Sequence, residues 1–443
     1  MLKCGFSALA FTPVLGTEMP GYFNSRKATG IKDELYAKAM VASDGEHCVA
    51  VVGCDIIQVT SYMLKRIRAR AEKLTGIPGE NIMVGAIHSH TACASDVPLY
   101  GSPAEKDCAE WVSDKIADAI QVAFHTMVPA KVGYGEEKED TIAFIRRFYM
   151  KDGGVTMNPA FNDPNILERE GSIDPQVGVL RFDALDSGKP LGLIVNYACH
   201  CDCVSGTEFS ADYPGELSKE LKKNLGQDVV CVFLNGCCGN INHIDFTATY
   251  IYWKEKDYYK KMGRILAGKV LSAYHRIVLQ EDVKVESVSM PLSLPRRQPS
   301  EEELAWSEQI ATQKEATLKN QVFATALKEL YENPIYTNEG VQQVIRIGNT
   351  AICALPGEIF VEIGKDIKAA SPFAHTMTSE LTNGNMGYIA SNLAHKNRLN
   401  APSMEIQTHA YETRLSKYTN CAPESHDILV QNAIDMMKQL LEE

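Results

Sequence analysis

Residues 48–54 read Cys-Val-Ala-Val-Val-Gly-Cys, an apolar run with no polar interruption. Strands that are buried on both faces, as in a sheet covered by helices, have this composition. Helical spacing follows over residues 61–74, and the strand pattern returns at residues 81–87, Asn-Ile-Met-Val-Gly-Ala-Ile. A second helical pattern covers residues 108–127. This β-α-β-α order predicts an α/β fold with a mixed, largely parallel central sheet flanked by helices.

The remainder of the chain continues this alternation. Further strands are predicted over residues 177–182, 191–197, 229–234 and 351–355, and further helices over residues 214–225 and 253–276. Residues 299–333 are charged, begin with the helix-start pattern Pro-Ser-Glu-Glu-Glu and end before a proline, so they predict a solvated helical excursion. The sequence shows no internal repeat and no Gly/Ser linker. We therefore expect one catalytic domain over residues 1–443 with a helical insertion.

Charge and composition exclude several classes of protein. The 443 residues are 45% hydrophobic and 23% charged, which is typical of a globular chain. Lys plus Arg number 44 against 56 Asp plus Glu, a net charge of −12 without a dense basic block, so nucleic acid is an unsuitable partner. No apolar run reaches the roughly 18 residues of a membrane span.

The cysteines and the N-terminus indicate the compartment. Thirteen cysteines are too sparse for a disulfide scaffold at this length, and several lie within apolar strand patterns, where free cysteine acts as a small hydrophobic residue. The first eleven residues have a short apolar stretch but reach Thr12-Pro13 before a small-residue cleavage site. We expect a protein of the reducing cytoplasm.

Polar residues follow four of the predicted strands, where α/β sheets bind ligands. His88-Ser89-His90-Thr91 comes directly after one strand. Histidines at i and i+2 of an extended segment point to the same side, so both can face one site. A second site residue, His200, follows another strand among alternating cysteines, which lack the spacing of a structural zinc site. The alternative interpretation is that each histidine is a structural residue held by hydrogen bonds.

The other two strand ends carry a glycine-rich turn and a carboxylate. Asn235–Asn242, Asn-Gly-Cys-Cys-Gly-Asn-Ile-Asn, lacks the Gly-Lys-Ser/Thr ending of a phosphate loop. It predicts either a plain tight turn or a loop with a reactive thiol at Cys237 or Cys238. Glu358 follows a Pro-Gly corner. Two histidines and one glutamate on separate strand ends match the ligand set of catalytic zinc sites that keep one position for water.

These segments resemble the neutral/alkaline (non-lysosomal) ceramidase family in its N-terminal catalytic domain. The resemblance extends over most of the chain and rests on the order and number of short motifs. They are Gly5-Phe6, Thr12-Pro13, Leu15-Gly16, Gly21-Tyr22, Gly30-Ile31, Leu35–Ala39, Cys54-Asp55, His88–Thr91, Arg146-Arg147, His200, Ser210–Gly215, Asn235–Asn242, Pro356–Glu358, Gly387–Ile389 and Ala410–Glu412. By this resemblance the N-terminal residues are the first strand of the domain and not a signal peptide.

The resemblance implies a zinc site and a catalytic set. His88, His200, Glu358 and Tyr411 match the family's zinc ligands. His90 and Arg146 match a catalytic pair that does not bind the metal, and Tyr388 matches a tyrosine that faces the substrate carbonyl. Zn²⁺ is thus the expected cofactor, since mixed nitrogen and oxygen ligands suit it best.

Two departures from the family bear on the substrate. Secreted ceramidases have Gly-Asp-x-Ser-Pro where this chain has Gly239-Asn240-Ile241-Asn242-His243, so Asn242 takes the position of a proposed catalytic serine. We place Asn242 in the predicted catalytic set for that reason. The sequence also ends soon after Tyr411, so we expect no counterpart of the family's C-terminal immunoglobulin-like domain. The replaced serine, together with the expected cytoplasmic location, argues against ceramide itself as the substrate.

The leading hypothesis is a zinc-dependent hydrolase that cleaves an amide or related bond of an N-acyl compound. The metal would polarise the carbonyl and activate water, His90 would carry the proton, and Arg146 and Tyr388 would stabilise the oxyanion. A second hypothesis keeps the metal but takes a small polar substrate such as a sugar or polyol derivative. A non-catalytic metal-binding or ligand-binding module and a cysteine hydrolase built on Cys237 or Cys238 with His90 are the remaining readings.

Overall fold

A computed structural model describes residues 1–93, 95–99 and 101–442, with Leu318 described by its backbone alone. The strands are β1 (Lys3–Ala10), β2 (Gly30–Ile31), β3 (Tyr36–Ser43), β4 (Cys48–Cys54), β5 (Ile82–Ala86), β6 (Val128–Lys138), β7 (Phe144–Ile145), β8 (Arg147–Met150), β9 (Val155–Met157), β10 (Ile166–Arg169), β11 (Gln176–Ala184), β12 (Pro190–Tyr197), β13 (Glu208–Phe209), β14 (Val230–Asn235), β15 (Ile241–Asn242), β16 (Val285–Pro295), β17 (Thr337–Ile347), β18 (Thr350–Ala354), β19 (Glu358–Ile359), β20 (His375–Ser379) and β21 (Tyr388–Ile389). The helices are α1 (Ser61–Thr75), α2 (Lys106–His125), α3 (Asp212–Leu225), α4 (Tyr258–Arg276), α5 (Glu301–Thr312), α6 (Leu318–Glu332), α7 (Val361–Ala370), α8 (Asn392–Leu399), α9 (Met404–Gln407) and α10 (Ser425–Glu442).

The central sheet has eight strands in the order β14-β12-β11-β6-β1-β3-β4-β5. This confirms the predicted mixed α/β fold. The strand directions correct the expected predominance of parallel pairs. Only the two outermost pairs, β12 with β14 and β4 with β5, run parallel, and the pairs between them run antiparallel.

The layers explain why the apolar runs did not reveal strand direction. Helices α1 to α4 cover one face of the central sheet, and a second sheet of order β16-β17-β18-β20 covers the other face. In β4, Ala50 and Val52 pack under the helices, while Val49 and Val51 pack against the second sheet. A strand is therefore apolar on both faces whether helices or another sheet cover it. Helices α7 and α10 cover the outer face of the second sheet.

The central sheet curves so that its two edges approach each other. A Cβ atom added to Gly53 of β4 would lie 2.3 Å from the carbonyl oxygen of Phe233 in β14. This close approach requires glycine at position 53, because any side chain would overlap the β14 backbone. It also brings the carboxyl ends of β5, β12 and β14 to one region of the molecule.

The predicted helical insertion consists of two helices, α5 and α6. Ser300 and Glu303 form a reciprocal capping box at the start of α5, as the Pro-Ser-Glu-Glu-Glu pattern predicts. The excursion is less solvated than expected, because the buried Trp306 and Phe323 pack in a cluster that includes Tyr411. The Arg414 guanidinium lies 4.3 Å and 4.1 Å from the centroids of these two rings. The insertion thus covers the segment that carries Tyr411.

The N-terminal segment forms a strand as predicted, whereas α4 begins later than predicted. β1 pairs with β3 over its full length, so the first residues form a strand of the sheet, as predicted. Helix α4 begins at Tyr258, five residues later than expected, because Tyr252–Lys254 form a separate 3₁₀ turn. Within the part of the chain that is described, no helix combines the length and the apolar content needed to cross a membrane.

Candidate metal centre and active site

Two histidines and a glutamate meet where the strand ends converge. The Oε2 atom of Glu358 lies 3.5 Å from Nε2 of His88 and 3.6 Å from Nε2 of His200. All three side chains are buried, with at most 5% of each exposed. His88 follows β5, His200 follows β12, and Glu358 begins β19. These residues are far apart in the chain and lie together because the strand ends do.

The last residue of β14, Asn235, joins the two histidine segments. Its amide group donates a hydrogen bond to the carbonyl of Ile87 at 3.2 Å and accepts one from the backbone N–H of Cys199 at 3.3 Å. Ile87 and Cys199 directly precede His88 and His200. The buried amide therefore fixes the two segments relative to each other, since breaking either bond would leave a polar group unpaired.

Backbone carbonyls orient both imidazoles. Nδ1–H of His88 donates to the carbonyl of Ile57 at 2.8 Å, and Nδ1–H of His200 donates to the carbonyl of Cys238 at 3.1 Å. With Nδ1 bound to a backbone carbonyl, Nε2 is the atom of each ring that faces Glu358. Backbone carbonyls that accept from the second ring nitrogen are a typical support of metal-binding histidines.

His88 does not lie on an extended segment, contrary to the argument from i and i+2 spacing. Its φ is +66°, in the left-handed region that non-glycine residues seldom adopt. The conformation is held by its own N–H, which donates to the carbonyl of Ile56 at 3.1 Å. The turn nevertheless brings the rings of His88 and His90 to 4.8 Å between centroids. Backbone strain of this kind concentrates at functional sites.

The chemistry of these groups fits a cation. Nε2 of His200 and Oε2 of Glu358 are buried and have no hydrogen-bond partner among the described residues. A buried carboxylate oxygen and an imidazole nitrogen without partners are costly to maintain in an apolar interior. Imidazole nitrogen and carboxylate oxygen are ligands that zinc takes. The residues present therefore fit a zinc ion between them.

The protonation of the cluster follows from burial and mutual charge. Burial lowers the pKa of His200 well below its ordinary value, and Arg146 adds to the effect. Burial also opposes the charged form of His88, but the Glu358 carboxylate raises the pKa of that histidine overall. Burial would raise the pKa of Glu358, yet His88 holds it below its ordinary value. His200 is thus neutral and Glu358 ionised, the forms that bind a metal.

His90 lies closer to the cluster than its expected role requires. Its Nε2 atom is 3.3 Å from Nε2 of His88, and one nitrogen from each of His88, His90 and His200 lies within 4.8 Å of the others. The geometry therefore allows His90 as a further nitrogen ligand as well as a proton carrier. Burial, together with His88, lowers the pKa of His90 well below its ordinary value. Its Nδ1 atom is 3.9 Å from Oδ1 of Asp202.

Two tyrosines and an arginine border the cluster on the other side. β19 pairs with β21 so that Glu358 and Tyr388 are neighbours, and the Tyr388 hydroxyl hydrogen bonds with the Glu358 carboxylate. Nη2 of Arg146 donates to the Tyr388 hydroxyl at 3.2 Å. The Tyr411 hydroxyl lies 3.3 Å from that of Tyr388. The structure thus gathers Arg146, Tyr388 and Tyr411 at the site, as the resemblance implies.

A buried carboxylate holds Arg146 in place. Oε1 of Glu412 accepts from Nε of Arg146 at 2.9 Å, and its Oε2 accepts from Nη1 of Arg147 at 3.0 Å. Arg147 is paired in turn with Glu170. Glu412 is completely buried. Two guanidinium groups and two carboxylates therefore neutralise one another directly behind the site.

The glycine-rich turn packs its backbone against Glu358. The N–H of Gly239 donates to the carbonyl of Ile359 at 2.8 Å, and a Cβ atom at Gly239 would lie 2.6 Å from the Glu358 carbonyl oxygen. Asn242, at the end of the turn, donates from Nδ2 to Asn158 at 3.1 Å and accepts from the N–H of Ile244 at 3.0 Å. The turn is thus a packing surface, and Asn242 lies in a cavity wall beside the site.

The turn cysteines are buried thiols. Burial raises the pKa of Cys237 and of Cys238 well above the ordinary value, and Glu380 adds to the effect for both. Cys238, His200 and Glu380 form a second group with metal-ligand spacing. There, Sγ of Cys238 already donates to Glu380 at 2.9 Å, and the other Glu380 oxygen accepts from two backbone N–H groups. These atoms are satisfied without an ion, unlike those around Glu358.

Thiol alkylation tests the cysteine hydrolase reading. We expect N-ethylmaleimide applied to the native protein to leave turnover within about twofold, because the reactive form of cysteine is the thiolate and burial suppresses it. Mass spectrometry of the treated protein identifies which cysteines react. Loss of activity that follows modification of Cys237 or Cys238, and that substrate prevents, would support the cysteine hydrolase instead.

Sequence reasoning missed several residues of this region. Asp202 and Tyr22 hydrogen bond to each other beside His90, and Glu412 and Glu380 are buried carboxylates behind the site. Asp202 lies two residues after His200, and Glu412 directly follows Tyr411. An acidic residue next to a candidate ligand was the available signal. Acidic residues are usually solvated, however, so their burial becomes evident only in the folded chain.

Comparison with known proteins identifies the family of the chain. The N-terminal part of the neutral/alkaline non-lysosomal ceramidase family matches residues 5–229, which is 225 of the 443 residues. The chain belongs to this family. It is accordingly a ceramidase-like hydrolase by family, and the predicted resemblance is confirmed.

Solved structures share the fold of this family member over its whole length. Neutral ceramidase from Pseudomonas aeruginosa matches with a TM-score of 0.74 and 18% identity, over 100% of this chain and 74% of that one. A ceramidase complexed with C2 matches with a TM-score of 0.73 and 17% identity, over 100% and 75%. At these identities the likeness establishes the fold alone.

Proposed function

We propose that this ceramidase family member is a zinc-dependent amidohydrolase that cleaves an N-acyl bond with water. One observation carries the proposal. Nε2 of His200 and Oε2 of Glu358 face each other at 3.6 Å, buried and without other partners, with Nε2 of His88 at 3.5 Å from the same oxygen. His88, His200, Glu358 and Tyr411 would hold the ion. When bound, zinc polarises a carbonyl oxygen and lowers the pKa of a coordinated water to about 7.

The residues around the cluster would supply proton transfer. His90 is neutral, and its Nε2 faces the cluster, so it can accept a proton there and deliver it to the leaving nitrogen. Asp202, 3.9 Å from Nδ1 of the same ring, favours the protonated imidazole that forms in between. The Cys201 carbonyl accepts from the His90 N–H at 3.1 Å and fixes the backbone of the proton carrier.

Arg146 and Tyr388 would stabilise the negative charge that develops on the carbonyl oxygen. The two groups are buried and joined by a hydrogen bond of 3.2 Å, so they are held in place beside the cluster and need little reorganisation of water. Asn242 has both ends of its amide engaged. We therefore propose that Asn242 shapes the cavity wall and that water, not a side chain in its position, attacks the amide.

Metal removal is the direct test. Dialysis against a zinc chelator should lower turnover of N-acyl substrates by at least about 10²-fold, and one equivalent of Zn²⁺ should restore it. The metal-free protein should also melt at a lower temperature, because an ion that binds only the native state stabilises it by about 4 kcal/mol at a thousandfold excess over Kd. Full turnover in metal-free protein would refute the proposal. Metal binding without turnover would favour the non-catalytic module.

A further inference from the structure

The candidate metal centre opens into a cavity of about 680 Å³, a typical size for a small-molecule site. His90, Arg146, His200 and Tyr411 are among the residues that line it. Its remaining wall comes mainly from three segments, at residues 21–23, 202–205 and 242–259. Because the cavity contains the proposed catalytic residues, the chemistry of its wall indicates which N-acyl compound enters it.

Polar groups on this wall lack partners within the protein. Nδ1 of His90, Nδ1 of His243 and the hydroxyl of Tyr259 are buried and have no hydrogen-bond partner among the described residues. The residues themselves are 8%, 7% and 3% exposed. Burial lowers the pKa of His243 to about 4, so its ring is neutral. Side chains of this kind need a polar partner, which an alkyl chain does not provide.

Most of the charged groups on the wall, in contrast, already have an oppositely charged partner inside the protein. Arg146 is bound to Glu412 at 2.9 Å, Lys32 lies 3.8 Å from Glu208, Asp257 lies 3.1 Å from Lys260, and Glu255 lies 3.6 Å from Lys261. Among the described residues of the wall, the three cationic ones (Lys32, Arg146 and Lys254) equal the three acidic ones in number (Asp202, Glu255 and Asp257). The cavity therefore has no strong preference for a charged ligand.

Asp202 offers acceptor atoms to the cavity. Its side chain is 32% exposed, although it lies beside the buried His90. One carboxylate oxygen accepts from the Tyr22 hydroxyl. A carboxyl group has acceptor capacity beyond one bond in either protonation state, so Asp202 can also accept from the hydroxyl groups of a ligand.

Aromatic side chains supply flat apolar surface among these polar groups. Tyr22, Phe23, Trp253 and Tyr258 all lie on the wall. An aromatic ring that packs on the C–H face of a sugar excludes water there, while polar neighbours reach the hydroxyl groups at its edge. A wall with flat apolar faces, unpaired polar groups and balanced charge suits a neutral, hydroxylated ring.

We propose that the substrate is an N-acylated amino sugar, or a closely similar neutral polyhydroxylated N-acyl compound, and not a sphingolipid. This inference rests on the proposed amidohydrolase function. In the reaction, the amide C–N bond breaks and a C–O bond forms from water. One water proton is transferred to the leaving nitrogen, which gives the free amino sugar and a carboxylic acid.

Two substrates with the same acyl group test the substrate class. N-octanoylglucosamine and N-octanoylsphingosine are offered to the zinc-loaded full chain in identical detergent micelles, and released amine is measured. We expect kcat/KM to be at least about tenfold higher for the sugar, because its ring carries more hydroxyl groups than sphingosine and therefore satisfies more of the polar wall. Isothermal titration with N-acetylglucosamine reports binding independently of turnover.

A variant links the preference to the wall. Tyr259→Phe removes one unpaired hydroxyl, so KM for the sugar should rise about fivefold and by more than KM for the ceramide. Tyr331→Phe, which removes an exposed hydroxyl on α6, is the matched control and should change neither.

The outcomes separate the two proposals. Faster ceramide hydrolysis would overturn the substrate class and leave the amidohydrolase intact. Sugar binding that weakens in Tyr259→Phe, without hydrolysis of either compound, would support the ligand class and refute the reaction. If the sugar is neither bound nor hydrolysed, the substrate proposal is overturned.

Discussion

Replacement of His88 by alanine should remove the bound metal and lower kcat/KM for N-acyl substrates by about 10³-fold or more. Nε2 of His88 lies 3.5 Å from Oε2 of Glu358, and its other nitrogen is fixed by the Ile57 carbonyl. Alanine deletes one ligand and leaves the carboxylate buried without its histidine. Replacement of His200 should have a similar effect. Because both residues would hold the same ion, the double variant should be little worse than either single variant.

Metal analysis and kinetics are measured on the same preparations. The control is His125→Ala, which removes an exposed histidine from the last turn of α2 and should alter neither metal content nor turnover. Circular dichroism establishes that each variant is folded. A folded His88→Ala protein that retains full activity without metal would exclude the proposed chemistry.

Replacement of Glu412 by glutamine should lower kcat by about 10²-fold with little change in KM or metal content. Glu412 accepts from Nε of Arg146 and from Nη1 of Arg147, so the neutral amide leaves one guanidinium without an anionic partner. Arg146 would then be free to shift from Tyr388, and a displacement of about 1 Å at a positioned catalytic group costs about that factor.

Glu170 provides the matched control. It is a buried carboxylate of the same ion network, but the guanidinium that it binds is that of Arg147. Glu170→Gln should therefore reduce stability in urea unfolding to a similar extent while kcat stays within a few-fold of wild type. Equal losses of kcat in the two variants would show that the network serves stability alone.

The sequence predicted the positions of buried strands well, but not their directions. The apolar runs at residues 48–54 and 81–87 correspond to β4 and β5 almost residue for residue. They did not reveal that the neighbours of β4 are antiparallel on one side and parallel on the other. Strand direction depends on connections and layers, which an apolar composition does not record. The second sheet was foreseen only through its strand β18.

The candidate site was accessible to sequence reasoning in part. The sequence indicates His88, His200 and Glu358 because each follows a predicted strand, and these strand ends do converge. The spacing argument predicted that the His88 and His90 side chains face one region, and they do. It assumed an extended backbone, however, whereas His88 has a left-handed conformation. Glu412 contacts Arg146 across 266 residues. No local pattern marks such a contact, because it exists only when the insertion and the C-terminal segment close over the site.

Diffraction from crystals of the native protein at the zinc absorption edge tests the central claim most directly. The proposal predicts one strong anomalous peak about 2.0–2.3 Å from Nε2 of His88, Nε2 of His200 and a carboxylate oxygen of Glu358. Absence of a peak there, or a peak between Cys238 and Glu380 instead, would contradict it.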